Sequence, residues 1–303
     1  LMKKTFIFIL ILLIVVLGLL FYVKQNNINN KESSVLTNNN SVNLKITFLD
    51  IGQGDASLID FPNGEQMLVD CSEDARILEA LGRVMNFYDN EIDYLLITHP
   101  DSDHYGGCEE VLNRFKVKNI IYSGYQKTGD EAWNSFFEKF TKNSDLNYIK
   151  IDHEQTMMIS STSLHFLYPN HSLELDSKIP NLNKKSNVNN TSIVFELTYK
   201  DKEILFTGDM ESDLENYLIS NYGDILDTDI LKVGHHGSSS GSGQNFLDIV
   251  TPEYSIISVG KNNKFGHPSL RVLKRLERVG TKILRTDLIK DITCFIGESL
   301  ICS

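Results

Sequence analysis

Residues 95–107 read LLITHPDSDHYGG. An apolar run, Leu95-Leu96-Ile97, ends in two histidines and two aspartates packed into the six residues from His99 to His104. Such a cluster is costly to desolvate and well suited to holding a metal ion. Histidine nitrogens and carboxylate oxygens suit Zn²⁺, Mn²⁺ or Fe. His99, Asp101, Asp103 and His104 cannot all point one way from a strand or a helix. They converge only if the strand breaks into a tight loop, and Gly106-Gly107 permits one. A calcium loop starting at Asp101 is excluded, because Tyr105 and Leu112 stand where an oxygen ligand and a Glu are needed.

The same pattern recurs downstream. Asp209 closes the run LFTGD, His235 and His236 follow LKVG, and His267 follows a Gly-containing turn in FGHPS. Each time a buried strand leads into a Gly-containing loop bearing His or Asp, and such strand ends are where sites form. Around these stretches the spacing predicts strands at 44–50, 56–61, 66–70, 92–98, 117–123, 146–151, 163–169, 192–199, 202–209, 229–234, 254–260, 282–286 and 291–296. Helices are expected at 74–87, 108–115, 130–142, 211–220, 244–249 and 269–278, and a long polar loop at 170–190. Strands and helices intermixed over about 260 residues point to a layered α/β domain with sheets in the middle.

The stretches HPDSDHYGG, NNTSIVFEL, ILFTGDM, LKVGHHGSSS and NKFGHPS, preceded by FLDIGQGDASLI, resemble the metallo-β-lactamase superfamily. More narrowly, they resemble the metallo-β-lactamase-like domain of the ComEC/Rec2 competence proteins, from about Leu44 to the C-terminus. The resemblance implies an αββα sandwich with a metal centre at the loop edge between two sheets, and hydrolysis by a metal-bound hydroxide. It makes His99 a ligand of a first ion, Asp103 and His104 ligands of a second, and Asp209 the bridge. His235 or His236 completes the second site, and His235, directly after the strand, is the favoured one. Asp101 stands where the superfamily usually has a second histidine. Asn189-Asn190-Thr191-Ser192 stands where it has another, and the competence-type group shares both departures. The cofactor expected is therefore one or two divalent ions, Zn²⁺ or Mn²⁺, with the harder oxygen ligands favouring manganese as a competitor.

Asp103, Asp55 in GQGDAS and His267 are the catalytic candidates, the last two for orienting a ligand or moving a proton. Asp70 and Cys71 receive a supporting role, and His153, His165 and His171 read as surface or packing residues. Gly237-Ser238-Ser239-Ser240-Gly241 also fits the nucleophile elbow G-x-S-x-G. A serine enzyme built on Ser239 would leave HPDSDH unexplained, and no matching oxyanion loop is visible.

Residues 5–23 form an uncharged apolar run behind Lys3-Lys4, long enough to span a bilayer. Residues 1–23 are read as a transmembrane signal anchor, 24–43 as an Asn/Ser-rich tether, and 44–303 as the hydrolase domain. Lys3 and Lys4 favour an extracytoplasmic bulk, and a cleaved signal peptide with secretion is the alternative. The four cysteines form no C-x-x-C pair and read as packing residues rather than a disulfide framework. Net charge is −11; without Lys3, Lys4, Lys24, Lys31 and Glu32 the chain keeps 25 basic and 39 acidic residues, net −14. Bulk electrostatic attraction to nucleic acid is therefore not expected. A phosphodiester substrate is expected, single-stranded DNA among the options, with Lys184-Lys185 and Lys261 to Lys264 as local cations. A cell-wall phosphocholine esterase and a non-catalytic metal-binding sensor are the alternatives.

Overall fold

A computed structural model describes residues 43–173 and 185–303. The expected anchor, nearly all of the tether and the middle of the 170–190 loop lie outside them. Among the described residues no helix is long and apolar enough to cross a membrane.

The period of two in the apolar residues sets the layers. In β1 (Leu44–Phe48), Leu44, Ile46 and Phe48 are buried on one face. They meet Phe166, Phe195, Leu197 and Phe206 of a second sheet in one apolar cluster. In β4 (Glu91–Ile97), Leu96 joins that inter-sheet core, while Leu95 and Ile97 face the other way. There they meet helices α1 (Arg76–Val84), α2 (Ser102–Tyr105), α3 (Cys108–Arg114) and α4 (Glu131–Lys142), through Ile77, Leu81, Tyr105, Val111, Trp133, Phe136 and Phe140. Beyond the second sheet, Leu205, Leu231 and Ile257 pack on α5 (Ser212–Tyr222), α6 (Gln244–Val250) and α7 (Leu270–Val279). Helices thus cover the outer face of each sheet, and the expected sandwich is present.

The first sheet adds β2 (Ser57–Asp60), β3 (Gln66–Val69), β5 (Lys116–Tyr122), β6 (Asn147–Lys150), β14 (Ile292–Ile296) and β15 (Leu300–Cys302), in the order β15-β14-β1-β2-β3-β4-β5-β6. The second comprises β7 (Gln155–Ile159), β8 (Thr162–Tyr168), β9 (Val194–Tyr199), β10 (Lys202–Phe206), β11 (Ile230–Lys232), β12 (Tyr254–Ile257) and β13 (Lys282–Arg285), in the order β13-β12-β11-β10-β9-β8-β7. Strands β3 to β6 run parallel, as do β10 to β13. Parallel strands end on the same edge, so Asp70, His99, Asp209, His235 and Ser258 all leave their sheets on one side. The β1–β2 turn carries Asp55 to that edge too, because Ser57 pairs with Val69.

Two strands escaped the sequence reading, β7 and β15. Both are short sheet edges, and Gln155 to Ile159 alternates only weakly in burial. The cysteines correct it further. Cys71 is joined to Cys108 and Cys294 to Cys302, and no free cysteine remains among the described residues. The first bond ties the end of β3 to the start of α3, on either side of the HPDSDH loop. Gly106 and Gly107 also act differently from expectation. Both have ordinary negative φ. They are needed for space, because a Cβ at Gly106 would sit 2.1 Å from the Glu73 carbonyl oxygen, and one at Gly107 2.4 Å from that of Cys71.

The Cys71–Cys108 bond closes a separation of 37 residues and Cys294–Cys302 one of 8. Loop-closure entropy then predicts losses of roughly 4 and 2.5 kcal/mol when each pair is replaced by alanines. Denaturant unfolding of the two double variants should show that order. A larger loss from the Cys294–Cys302 pair would contradict it.

Candidate metal centre

The site is built from the buried carboxylate of Asp70 outward. Its Oδ1 accepts the Thr98 backbone N–H at 2.8 Å; its Oδ2 accepts the Thr98 hydroxyl at 2.8 Å and His104 Nδ1–H at 2.7 Å. With its proton given to Asp70, the Thr98 oxygen has a lone pair for His99 Nδ1–H, 3.1 Å away. His236 Nδ1–H donates to the Ser258 carbonyl at 3.0 Å. In all three rings Nδ1 is thus engaged as a donor, which leaves Nε2 as the atom a metal would take.

Those three Nε2 atoms are buried, have no hydrogen-bond partner, and share that condition with Asp209 Oδ1. His104 Nε2 lies 3.2 Å from Asp209 Oδ1, and His236 Nε2 lies 3.3 Å from Asp103 Oδ2 and 3.6 Å from Asp209 Oδ2. Donor atoms of His99, His104 and Asp209 fall within 4.8 Å of one another, as do those of Asp103, His104 and His236. Unpartnered buried polar atoms are expensive, and one or two divalent cations would satisfy them. The residues fit such an ion.

Charge tells the same story. Burial would raise the Asp209 carboxyl, yet His236 and His104 hold it well below the usual carboxylate range. Burial disfavours a charged His236 ring, but Asp209, Asp55 and Asp103 raise its pKa to about 10. Protons on the imidazoles stand where a cation would, and metal binding must displace them.

Loop geometry holds the cluster in place. Gly54 has φ +119, and a Cβ there would sit 2.3 Å from the Asp103 carbonyl oxygen, which accepts the Asp55 N–H. Gly208 turns at φ +51 against Ser192, whose hydroxyl accepts the Asp209 N–H at 3.0 Å. The NNTS stretch thus supplies an orienting group to Asp209. His235 and His236 both adopt left-handed backbone, φ 47 and 52, a strained conformation for residues with a Cβ. It sends the two rings apart.

The sequence expectations divide on this geometry. His99, Asp103, His104, Asp209 and His236 come together. His235, the favoured one of its pair, instead faces Glu211, Asn189 and Ser240 at 3.2, 3.2 and 3.1 Å, with Nε2 3.9 Å from Asp209. Carbonyl 258 on the neighbouring strand captures His236 and turns it inward. Lys127 bonds Asp101 Oδ1 at 2.7 Å while also gripping Asp130 and the Pro100 carbonyl, and Asp101 Oδ2 lies 3.6 Å from His99 Nε2, at the margin of the clusters. Asp55 sits behind His236, 3.5 Å from Nδ1, paired at 2.7 Å with the buried Lys232. His267 has no place in the clusters; its ring lies 5.6 Å from that of His235. Ser239 is exposed, and Ser240 is the serine beside His235.

Lys127, Lys232, Thr98 and Ser192 were missed. A lysine inside the apolar run LKVG was the one available signal. Asp70→Ala removes three hydrogen bonds from buried donors, so a loss of about 2–4 kcal/mol in stability is expected. Metal affinity, measured by calorimetry, should fall roughly 10- to 100-fold. Unchanged affinity in a folded variant would contradict the account. His236→Ala should abolish metal retention through gel filtration, as read by elemental analysis, and His235→Ala should keep most of it. The reverse order would show that the other ring is the ligand.

Residues 49–261 match the metallo-beta-lactamase superfamily. ComE operon protein 3 of Bacillus subtilis (strain 168) is 29% identical over 261 residues, covering 80% of this chain and 32% of that protein. Competence protein ComA of Neisseria gonorrhoeae is 30% identical over 245 residues, covering 80% and 31%. The chain spans about a third of the length of these relatives. Among solved structures, the metallo-beta-lactamase fold protein YhfI from Bacillus subtilis superposes with a TM-score of 0.53 at 13% identity, covering 80% of this chain and 96% of that one; at that identity the likeness speaks for the fold. With sheet order, ligand cluster and sequence match in agreement, the chain belongs to the metallo-beta-lactamase superfamily, as a domain of the ComEC/Rec2 competence-protein type.

Proposed function

We propose that the domain hydrolyses phosphodiesters, with single-stranded DNA as one substrate, using one or two divalent ions, zinc or manganese. The observation that carries the reading is the convergence of buried, unpartnered Nε2 atoms from His99, His104 and His236 on Asp209 and Asp103. A divalent ion in such a cage supplies Lewis acidity and a water of lowered pKa. The chain's own groups do the rest. Asp70, through Thr98 and His104, fixes the rings, and Asp55 with Lys232 backs His236. Burial, together with the neighbouring His235 and His236, keeps the His267 pKa below its usual value. Its neutral ring is suited to accept a proton and return it to the leaving oxygen. In the overall reaction the water oxygen bonds to phosphorus, one P–O ester bond breaks, and the departing oxygen takes up a proton.

Kinship with competence proteins supports a nucleic-acid substrate, whereas the net charge argues against long basic tracking of a strand. The two disulfides support an extracytoplasmic location, since such bonds persist in oxidising compartments. That agrees with the membrane anchor expected at residues 1–23.

The metal-loaded protein should turn over bis-p-nitrophenyl phosphate with Mn²⁺ or Zn²⁺. Asp103→Ala should lower that rate by roughly 100-fold or more, and Ser239→Ala should leave it intact. Bound ion without turnover would favour the sensor alternative, and loss of activity in Ser239→Ala would revive the serine enzyme.

A further inference from the structure

Beside Asp103 the surface opens into a cavity of about 350 Å³. Gln53, Ser102 and Asn263 supply neutral polar groups, Glu73 and Asp103 carboxylates, and Lys264 and Phe265 the remaining wall. Phe265 is 55% exposed, an unusual condition for a large apolar ring on a tightly held loop. The loop is held by one side chain. Asn263 Oδ1 accepts the N–H groups of Phe265 and His267 at 3.2 and 3.0 Å, and Asn263 Nδ2 donates to the carbonyls of Gly260 and His267. Phe265 lies nearly parallel to His267, 16° between planes and 5.7 Å between centroids, and His267 neighbours His235. A line of rings thus runs outward from the rim of the metal centre and ends on the half-exposed ring of Phe265.

From this arrangement we infer that Phe265 and Lys264 form the subsite for the nucleobase adjoining the scissile phosphate. The inference rests on the phosphodiesterase reading and narrows it to nucleotide substrates. A planar base stacks on any aromatic face, and the cavity places that face next to Asp103, where the phosphate must lie. Lys264 Nζ hovers 5.1 Å from the Phe265 centroid. Its exposed side chain is free to swing towards the phosphate as a base takes the ring.

The same ammonium argues against a phosphocholine substrate. A quaternary ammonium seeks a cage of aromatics, and this cavity offers one aromatic ring with a like charge, Lys264, on its wall. The other exposed aromatic rings among the described residues, Phe87, Tyr88, Tyr148 and Phe295, do not line this cavity. One stacking platform on an acidic domain suits the grip of a single base near the scissile bond. A run of platforms along a basic groove would be the mark of long-strand binding.

The test compares a thymidine dinucleotide with the same diester lacking one base, using the Mn²⁺-loaded protein. Wild type should favour the base-bearing diester. Phe265→Ala should reduce that preference in kcat/KM by roughly 10-fold or more, and Phe265→Trp should retain it. A separate readout needs neither metal nor turnover. In chelator, thymidine monophosphate should quench the new indole of Phe265→Trp, and deoxyribose 5-phosphate should not. A preference unchanged by Phe265→Ala, or equal quenching by both ligands, would overturn the subsite. Quenching by the nucleotide without turnover of either diester would leave the subsite standing and remove the phosphodiesterase reading.

Discussion

Asp70 carries a buried charge with three donors pointed at it, and the remainder of the centre is arranged around that fact. A carboxylate this deep is tolerable only when hydrogen-bonded. Here the donors are the Thr98 N–H and hydroxyl and His104 Nδ1. By satisfying itself, Asp70 fixes the protonation of His104 and, through Thr98, of His99. Two imidazoles then turn their Nε2 atoms into one buried space. A third arrives from the opposite sheet, set by the Ser258 carbonyl. The arrangement makes sense only with a cation at its focus.

The two sheets supply the convergence. Parallel runs in each end on the same edge, so ligands far apart in sequence leave their strands within reach of one another. The inter-sheet core of Phe48, Phe166, Phe195 and Phe206 holds the sheets in register behind them. Backbone crowding does the fine placement. Gly54, Gly106, Gly107 and Gly208 stand where another residue's atoms leave no room for a Cβ. The left-handed pair His235-His236 stores strain at the point where one ring must enter the centre and its neighbour must not.

Much of this was legible in the sequence. HPDSDH, GD and HHGS stood out because polar clusters directly after apolar runs have few structural uses. Apolar runs at 44–50 and 92–98 pointed to strands, and the spacing of apolar residues in 74–87 and 130–142 to helices. The rest depended on partners distant in the chain. Spacing alone does not show that Lys127, 26 residues on, holds one oxygen of Asp101 while the other stays beside His99. The choice between His235 and His236 is made by Ser258, Glu211 and Asn189. The pairing of Cys71 with Cys108 needed the end of β3 to lie against the start of α3. Edge strands β7 and β15 bury too little to leave a pattern.

The most direct test of the account is anomalous scattering from crystals soaked in Mn²⁺ or Zn²⁺, recorded at the edge of each metal. The account predicts a peak about 2.0–2.3 Å from Nε2 of His104 and His236 and from carboxylate oxygens of Asp209 and Asp103, with Asp70 still bonded to His104 Nδ1. No peak at that position, with the side chains arranged as described, would contradict it.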